Sequence, residues 1–481
     1  MSFLKTVSFE NKIIVYWGYD HYKKGVSYSF FLNGKLVGET DKTHFDFAGL
    51  KPNTKYKIEV KEKNKVFTKK TISTLPKREI VDVGKLGLDS SGKTLITKEL
   101  QEIFDENAGK TIVFSKGTYL TGALFVKPNT HVLVEKDALV LGSENPNDYL
   151  PKVKSRFEGN EMMCYASLFN IGHHDCLAKS VDQNIYIYGD GEIRGGGSNL
   201  CHSIIEQEIP NIDESKVDKT KVNLNVVAGR VRGRLFQISN SKNIVIEGLT
   251  LGFGASWNIH TIYSKNIVIC NAHIQSKDLH NGDGIDPDSS ENVNIFNIFF
   301  ETGDDCVAIK SGKNPDGNVI NRPSKNIQVF DCKSKMGHGC CIGSEMSGGV
   351  KNVYFFDCDF EKTRYGVQIK TTKKRGGYIK NVHVKDLLLP AINIRTVPYN
   401  DDGEDSGKLA IFKNFHFENI TLSGVDVGNF GDEEIKVNHI EVKGFKDHIK
   451  CFSNMNFENI SFKDKNNEKR IIIQDSTNIN L

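Results

Sequence analysis

Three carboxylates crowd into Asn281-Gly282-Asp283-Gly284-Ile285-Asp286-Pro287-Asp288, a segment broken by glycine and proline. Two more are adjacent in Thr302-Gly303-Asp304-Asp305-Cys306-Val307-Ala308-Ile309-Lys310, and Gly337-His338-Gly339 and Gln368-Ile369-Lys370 follow. Adjacent carboxylates beside an apolar strand repel one another and cost stability. Such a pattern is expected where one group must hold a proton, as in general acid/base catalysis.

The elements that must position these residues announce themselves by repetition. The phrase Ser241-Lys242-Asn243-Ile244-Val245-Ile246 returns as Ser264-Lys265-Asn266-Ile267-Val268-Ile269, and in shorter form around Asn292, Asn326, Asn352, Asn381 and Asn414. The gaps between these asparagines are 23, 26, 34, 26, 29 and 33 residues. Repeats of this length mark stacked units, none of which can bury its apolar face alone. Each unit holds short β-rich runs without the spacing of leucine-rich repeats or a propeller-blade signature. The architecture expected is all-β, a right-handed parallel β-helix over residues 78–481. Asparagine tolerates left-handed backbone at a sharp corner and can bond along the stack, so the ladder is read as structural. Asp283 and Asp304 are 21 residues apart, close to the shortest repeat, and are expected to project from one face. Ile96, Leu100, Ile103 and Phe104 follow the one clear helical period, over residues 94–107, and predict a helix covering an open end of the stack.

Residues 1–77 read as a separate small β unit. Asn33-Gly34 supplies the two positive-φ residues of a type I′ hairpin turn, between the runs Tyr28–Leu32 and Lys35 onward. Gly49-Leu50-Lys51-Pro52-Asn53-Thr54-Lys55-Tyr56 resembles the tyrosine corner of fibronectin type III domains, and residues 74–77 form a linker.

Several functions are disfavoured. Net charge is +3, with 63 basic against 60 acidic residues, which gives no electrostatic case for nucleic acid. No apolar run reaches the length of a membrane span. The N-terminus lacks a leader pattern, so the expectation is a cytoplasmic protein as written, secreted or periplasmic if a signal was removed. The ten cysteines form no Cys-x-x-Cys pair and read as buried free thiols. Gly87-Leu88-Asp89-Ser90-Ser91-Gly92-Lys93-Thr94 matches a phosphate-binding loop, but the chain lacks the alternating helices of that fold, so the segment reads as a turn and N-cap before the helix. His173-His174-Asp175-Cys176 has no partners at ligand spacing, and His260 and His280 are read as packing residues.

Residues from about 80 to 465 resemble family-28 glycoside hydrolases, the polygalacturonases. Their motifs Asn-Thr-Asp, Gly-Asp-Asp, Gly-His-Gly and Arg-Ile-Lys correspond in order to Asn281-Gly282-Asp283, Gly303-Asp304-Asp305, Gly337-His338-Gly339 and Gln368-Ile369-Lys370. The resemblance implies hydrolysis of α-1,4-linked galacturonate with inversion. Asp304 would be the general acid, Asp283 and Asp305 would activate water, and His338 would tune the acid. Neighbouring carboxylates are expected to raise the pKa of Asp304. In inverting enzymes acid and base stand about 6.5–9.5 Å apart, leaving room for the water.

Lys370 matches the family lysine that pairs with a substrate carboxylate, and Gln368 stands where the family has arginine. A neutral amide cannot reproduce that charged fork. A modified or neutral sugar at this subsite, or replacement of the fork by Arg364 or Arg375, are the alternatives. Tyr399 corresponds to a family tyrosine near the leaving group, and Lys310 is a further candidate for substrate binding. No metal or other cofactor is implied, and the expected partner is a pectic oligo- or polysaccharide. A fibronectin-like module ahead of a β-helix resembles bacterial exo-acting members, with residues 198–230 walling off one end of the groove. Two competing readings are a carbohydrate-binding β-helix without catalysis and a calcium-dependent lyase; the aspartate and histidine set opposes both.

Overall fold

The recurring asparagine is a corner. The computed structural model describes residues 3–217, 222–399, 402–429 and 434–481. In it Asn243, Asn266, Asn292, Asn326, Asn352, Asn381 and Asn414 all have φ between 56° and 62°. The side-chain amide of each donates to the side-chain carbonyl of the one before, at 3.0–3.2 Å. The ladder extends past the sequence repeat, through Asn184 to Asn129 on one side and through Asn454 to Asn478 on the other.

Beside each corner the chain enters a strand that pairs in parallel with its counterpart one coil away. Ile244, Ile267, Val293, Ile327, Val353, Val382, Phe415 and Met455 share one row. Each is buried in the core. Sheets of 19 and 12 strands result, wound as a parallel β-helix. The helix Thr97–Glu106 packs Leu100 and Phe104 into the same core, with the Phe104 ring 6.5 Å from that of Phe169.

The chain divides into two units, Met1–Ile80 and Val81–Leu481. The first pairs Lys5–Ser8, Ile13–Tyr16 and His44–Phe47 in one antiparallel sheet. Lys35–Thr40, Tyr28–Leu32, Lys55–Glu62 and Lys65–Ser73 make the other, in that order. Its own core holds Trp17, Tyr28, Phe30 and Ile58, all fully buried. Asn33 and Gly34 have φ of 50° and 84°, and the Tyr56 hydroxyl accepts from the backbone N–H of Lys51 at 2.8 Å.

The phosphate-loop match is a turn. The Asp89 carboxylate accepts from the backbone N–H groups of Ser91, Lys93 and Thr94, the donors a phosphate would need. The helix begins later, at Thr97 with Ile96 as N-cap, so this segment does not cap it. All ten cysteines are free, and eight are buried. No helix among the described residues is long and apolar enough to cross a membrane.

Candidate active site

Strand register brings the four motifs together. Ile285–Asp288, Val307–Ile309, Cys340–Ile342 and Val367–Thr371 are consecutive strands of the 12-stranded sheet. Ile285 pairs with Val307, Val307 with Cys340 and Cys340 with Val367. Two residues ahead of this row in sequence lie Asp283, Asp305, His338 and Tyr365, in the turns that enter the strands. Ahead of the Ile285–Val307 pair the Gly284 N–H donates to the Asp305 carbonyl at 2.9 Å and the Asp304 N–H to that of Gly282 at 3.4 Å, which brings both aspartates beside Asp283. One position after the row, on the outward face, are Asp286, Cys341 and Gln368.

Glycine is required in these turns for want of space. A Cβ on Gly282 would lie 2.8 Å from the Ser276 carbonyl oxygen and 2.9 Å from that of Leu279. The threonine of the family motif has no room here. Gly339, at φ 99°, would press a Cβ onto the Gly366 carbonyl.

Asp283, Asp304, Asp305, Lys310, His338, Gln368, Lys370 and Tyr399 all line one cleft of about 300 Å³. His338 Nδ1 is 2.8 Å from Asp304 Oδ1 and 3.7 Å from Asp305 Oδ1. Lys370 Nζ is 3.7 Å from Asp305 Oδ2. Asp304 keeps 28% of its side chain exposed, against 4% for Asp283 and 5% for Asp305, so it is the carboxyl most open to a ligand. Asp283 Oδ1 and Asp305 Oδ1 are buried without a hydrogen-bond partner among the described residues. Burying an acceptor unpaired is costly, so each is a natural seat for a water or substrate hydroxyl.

The electrostatics split the cluster in two. Burial pushes Asp283 well above the usual carboxylate range, and the charges of Asp286, Asp304 and Asp305 add to it. Asp305 is also raised, by burial first, with Lys370 opposing. Asp304 departs from the expectation of a raised pKa. Burial acts upward, but the hydrogen bond to His338, its charge and the charges of Lys370 and Lys310 outweigh it and hold Asp304 low. His338 moves the opposite way. Burial lowers it, and the Asp304 hydrogen bond with the Asp304 and Asp305 charges lifts it above an ordinary imidazole.

Lys310 is placed differently from a substrate ligand. Its ammonium lies 3.7 Å from Asp283, 3.4 Å from Asp286 and 3.7 Å from Glu345, and 4.5 Å above the Trp257 ring. These charges hold it well above the usual lysine range against its burial. Burial raises Asp286, in the same nest, to about 7.

Neither Arg364 nor Arg375, the alternatives to the missing family arginine, lines the cleft. Arg375 is fully buried and donates to the Ser344 carbonyl at 2.9 Å and to Asn314 Oδ1. Arg364 is exposed and lines a neighbouring cavity instead. Of the two histidines set aside as packing residues, His260 packs and His280 does not, since it is exposed. His260 is fully buried 3.3 Å from Asp288, and burial lowers it to about 3. His174 is held at 2.6 Å by Glu161, which also takes Arg156 at 2.7 Å, so its metal-like neighbourhood is a hydrogen-bonded one.

Trp257, Glu345, Tyr365 and Glu158 line the cleft unforeseen. Trp257 and Tyr365 occupy the same row positions as Asp283 and His338, a signal that needs the register to be read. Glu158 comes from the hairpin Val153–Phe157 and Asn160–Cys164, far away in sequence. Its carboxylate is held at 2.8 Å by Arg230, which also lies 3.3 Å from Asp402; Asp402 in turn binds Lys313.

Stacked parallel coils with carboxylates, a histidine and a lysine converging on an outward-facing cleft define a β-helical glycoside hydrolase. The chain belongs to glycosyl hydrolases family 28, which it matches over residues 152–466. A Vitis vinifera protein named "Probable polygalacturonase" is 29% identical over 64% of this chain, and the match spans 60% of that protein's length. An exo-poly-alpha-D-galacturonosidase of Dickeya chrysanthemi is 27% identical over 78% of this chain and 68% of its own. In fold, the family 28 exopolygalacturonase of Yersinia enterocolitica superposes over 98% of both chains, with a TM-score of 0.82 at 22% identity.

Proposed function

We propose that the protein hydrolyses α-1,4-linked galacturonate in pectic chains, with inversion and from a chain end. The observation that carries the reading is the convergence of Asp283, Asp304, Asp305, His338 and Lys370 on one cleft. In this reading Asp304 faces the leaving oxygen and donates the proton. Because Asp304, unlike Asp283 and Asp305, is held low, the proton resides on the His338 side of the 2.8 Å contact and crosses as charge develops on the leaving oxygen. Asp283 and Asp305, each with an unpartnered oxygen, hold the water that attacks the anomeric carbon and take up its proton. Lys370 and Tyr399 bind the sugar, Lys370 through its carboxylate. Lys310 serves by fixing Asp283 and Asp286.

Chain-end action is supported by the ion pairs from Glu158 through Arg230 and Asp402 to Lys313, which strap a hairpin beside the cleft. Polygalacturonase and exo-galacturonosidase names among the relatives support the substrate. For the first unit, the strand order and the Tyr56 contact support a fibronectin type III-like module.

Release of reducing ends from homogalacturonan by the parent and by Asp304→Asn tests the proposal. Removal of the acid is expected to cost on the order of 10²–10⁴ in kcat. Equal rates for the two, or no release from any pectic oligomer, would defeat it. Gln368, 6% exposed on the cleft floor, favours a second reading in which the bound sugar is modified. Faster turnover of xylogalacturonan or rhamnogalacturonan oligomers than of homogalacturonan would select that reading.

A further inference from the structure

A second cavity, of about 700 Å³, adjoins the cleft and shares Tyr365 with it. Its lining includes Gly337, next to His338, together with Lys362, Arg364, Asp426 and Lys436. Lys362, Arg364 and Lys436 are exposed, and among the described residues no carboxylate pairs with them. The acidic Glu361 of the same cavity is already matched with Lys463 at 2.5 Å. Asp426 stands opposite Lys436 in the strand pairing, so the lining sets three cations against one carboxylate not otherwise matched and is net cationic, although the protein as a whole carries only +3.

Its cations stand on a rigid base. The Arg364 N–H donates to the Gly337 carbonyl at 2.7 Å and the Tyr365 N–H to that of His338 at 3.3 Å. Thr363 closes the turn by donating to Phe360 at 2.7 Å and accepting from Gly366 at 3.2 Å. The Arg364 guanidinium lies 5.1 Å above the Tyr365 ring, whose other neighbour is His338 at 5.0 Å. An aromatic plate with a charged fork beside it suits a sugar ring that carries a carboxylate.

We infer that this cavity is an outer anionic subsite, taking the carboxylate of a uronic acid unit on the leaving-group side of the scissile bond. The side follows from the acid: the cavity lies beyond His338, which rests on Asp304, and Asp304 faces the leaving oxygen. The inference rests on the galacturonide reading above and extends it to longer substrates.

Calorimetric binding of tri- and hexagalacturonate to the Asp304→Asn protein provides the test. The hexamer is expected to bind tighter than the trimer by about tenfold or more, the value of one to two charge-assisted contacts. Adding Arg364→Ala should cut that ratio to about threefold or less, and Arg364→Lys should restore part of it. Fully methyl-esterified hexamer should show no such dependence on Arg364. A ratio near one in the Asp304→Asn protein, or a ratio that Arg364→Ala leaves intact, overturns the subsite. So does an equal loss for both lengths, which would mark a general disturbance. Loss of the subsite alone, with parent protein still cleaving galacturonides, leaves the catalytic reading standing. If parent protein neither cleaves nor binds any galacturonide, both fall.

Discussion

At the scale of single residues, the cleft works by opposing shifts. Asp283 and Asp305 are raised, so they ionise only as pH rises past the ordinary carboxylate range. A base must be ionised, so kcat/KM should climb through those raised values on its acid side. His338 is also raised, and the proposed acid pair must keep its proton, so activity should fall only above the ordinary imidazole range. His338→Gln should bring the alkaline fall to lower pH in a kcat/KM profile, because Asp304 no longer has a neighbour to resupply it. An unmoved alkaline limb would show that the acid acts alone. Lys310 offers a separate prediction about stability. Lys310→Met leaves Asp283, Asp286 and Glu345 facing one another without their buried cation, at a cost of about 3–5 kcal/mol near neutral pH. Burial raises Asp286 to about 7 and raises Asp283 well above the ordinary carboxylate range, so both take up protons before an ordinary carboxylate would as pH falls, and the unpaired charge disappears. Denaturant unfolding should therefore show a deficit that shrinks at acid pH, and a pH-independent deficit would point to lost packing against Trp257.

At the scale of the elements, the asparagine corner is the unit of construction. Asn326 holds φ at 57°, donates to Asn292 and accepts from Asn352. Asn326→Ala loses both hydrogen bonds and puts in left-handed backbone a residue without the short polar side chain that lets asparagine adopt it, so about 2–4 kcal/mol of stability should go. Asn326→Gly keeps the backbone and should cost roughly half as much; thermal unfolding of the pair separates the two terms, and equal losses would make the backbone contribution negligible. Seven of these corners were legible because a lysine or serine and an apolar run flank them in the same way each time. Asn129, Asn184, Asn454 and Asn478 were not, because none has the lysine that directly precedes six of the seven, while the geometry is the same. The site shows the same division. The motifs and the family resemblance identified eight of the residues that line the cleft, Asp283 and Asp304 among them. What the motifs did not show is the contact of His338 with Asp304, which lowers the carboxyl that crowding alone would have raised. Trp257 and Glu158 had no motif to mark them, since their place depends on coils and a hairpin packed from elsewhere.

At the scale of the whole molecule, a β-helix presents a groove open along its stack, and the choice between internal and terminal cleavage depends on what obstructs it. Here the obstruction proposed is the hairpin Val153–Phe157 and Asn160–Cys164, whose Glu158 reaches the cleft. A bare carboxylate there would repel a polyanionic chain; pairing with Arg230 neutralises it and binds the hairpin to Asp402 and Lys313. Such a strap should make short products appear from the first minutes of a homogalacturonan digest, while solution viscosity falls slowly. Arg230→Ala removes the central cation of the strap and leaves Glu158 without its partner, while Asp402 keeps Lys313. Two effects should follow, and they are distinguishable. Binding of the terminal unit should weaken by about 1–3 kcal/mol through repulsion from Glu158. Longer internal fragments should also appear earlier in a size-resolved digest, as the hairpin no longer closes the groove. If Arg230→Ala raises KM without changing the fragment pattern, the strap governs charge and some other part of the coil stack sets the chain-end preference. If the parent itself yields long fragments at the outset, the groove is open and terminal cleavage is wrong for this protein.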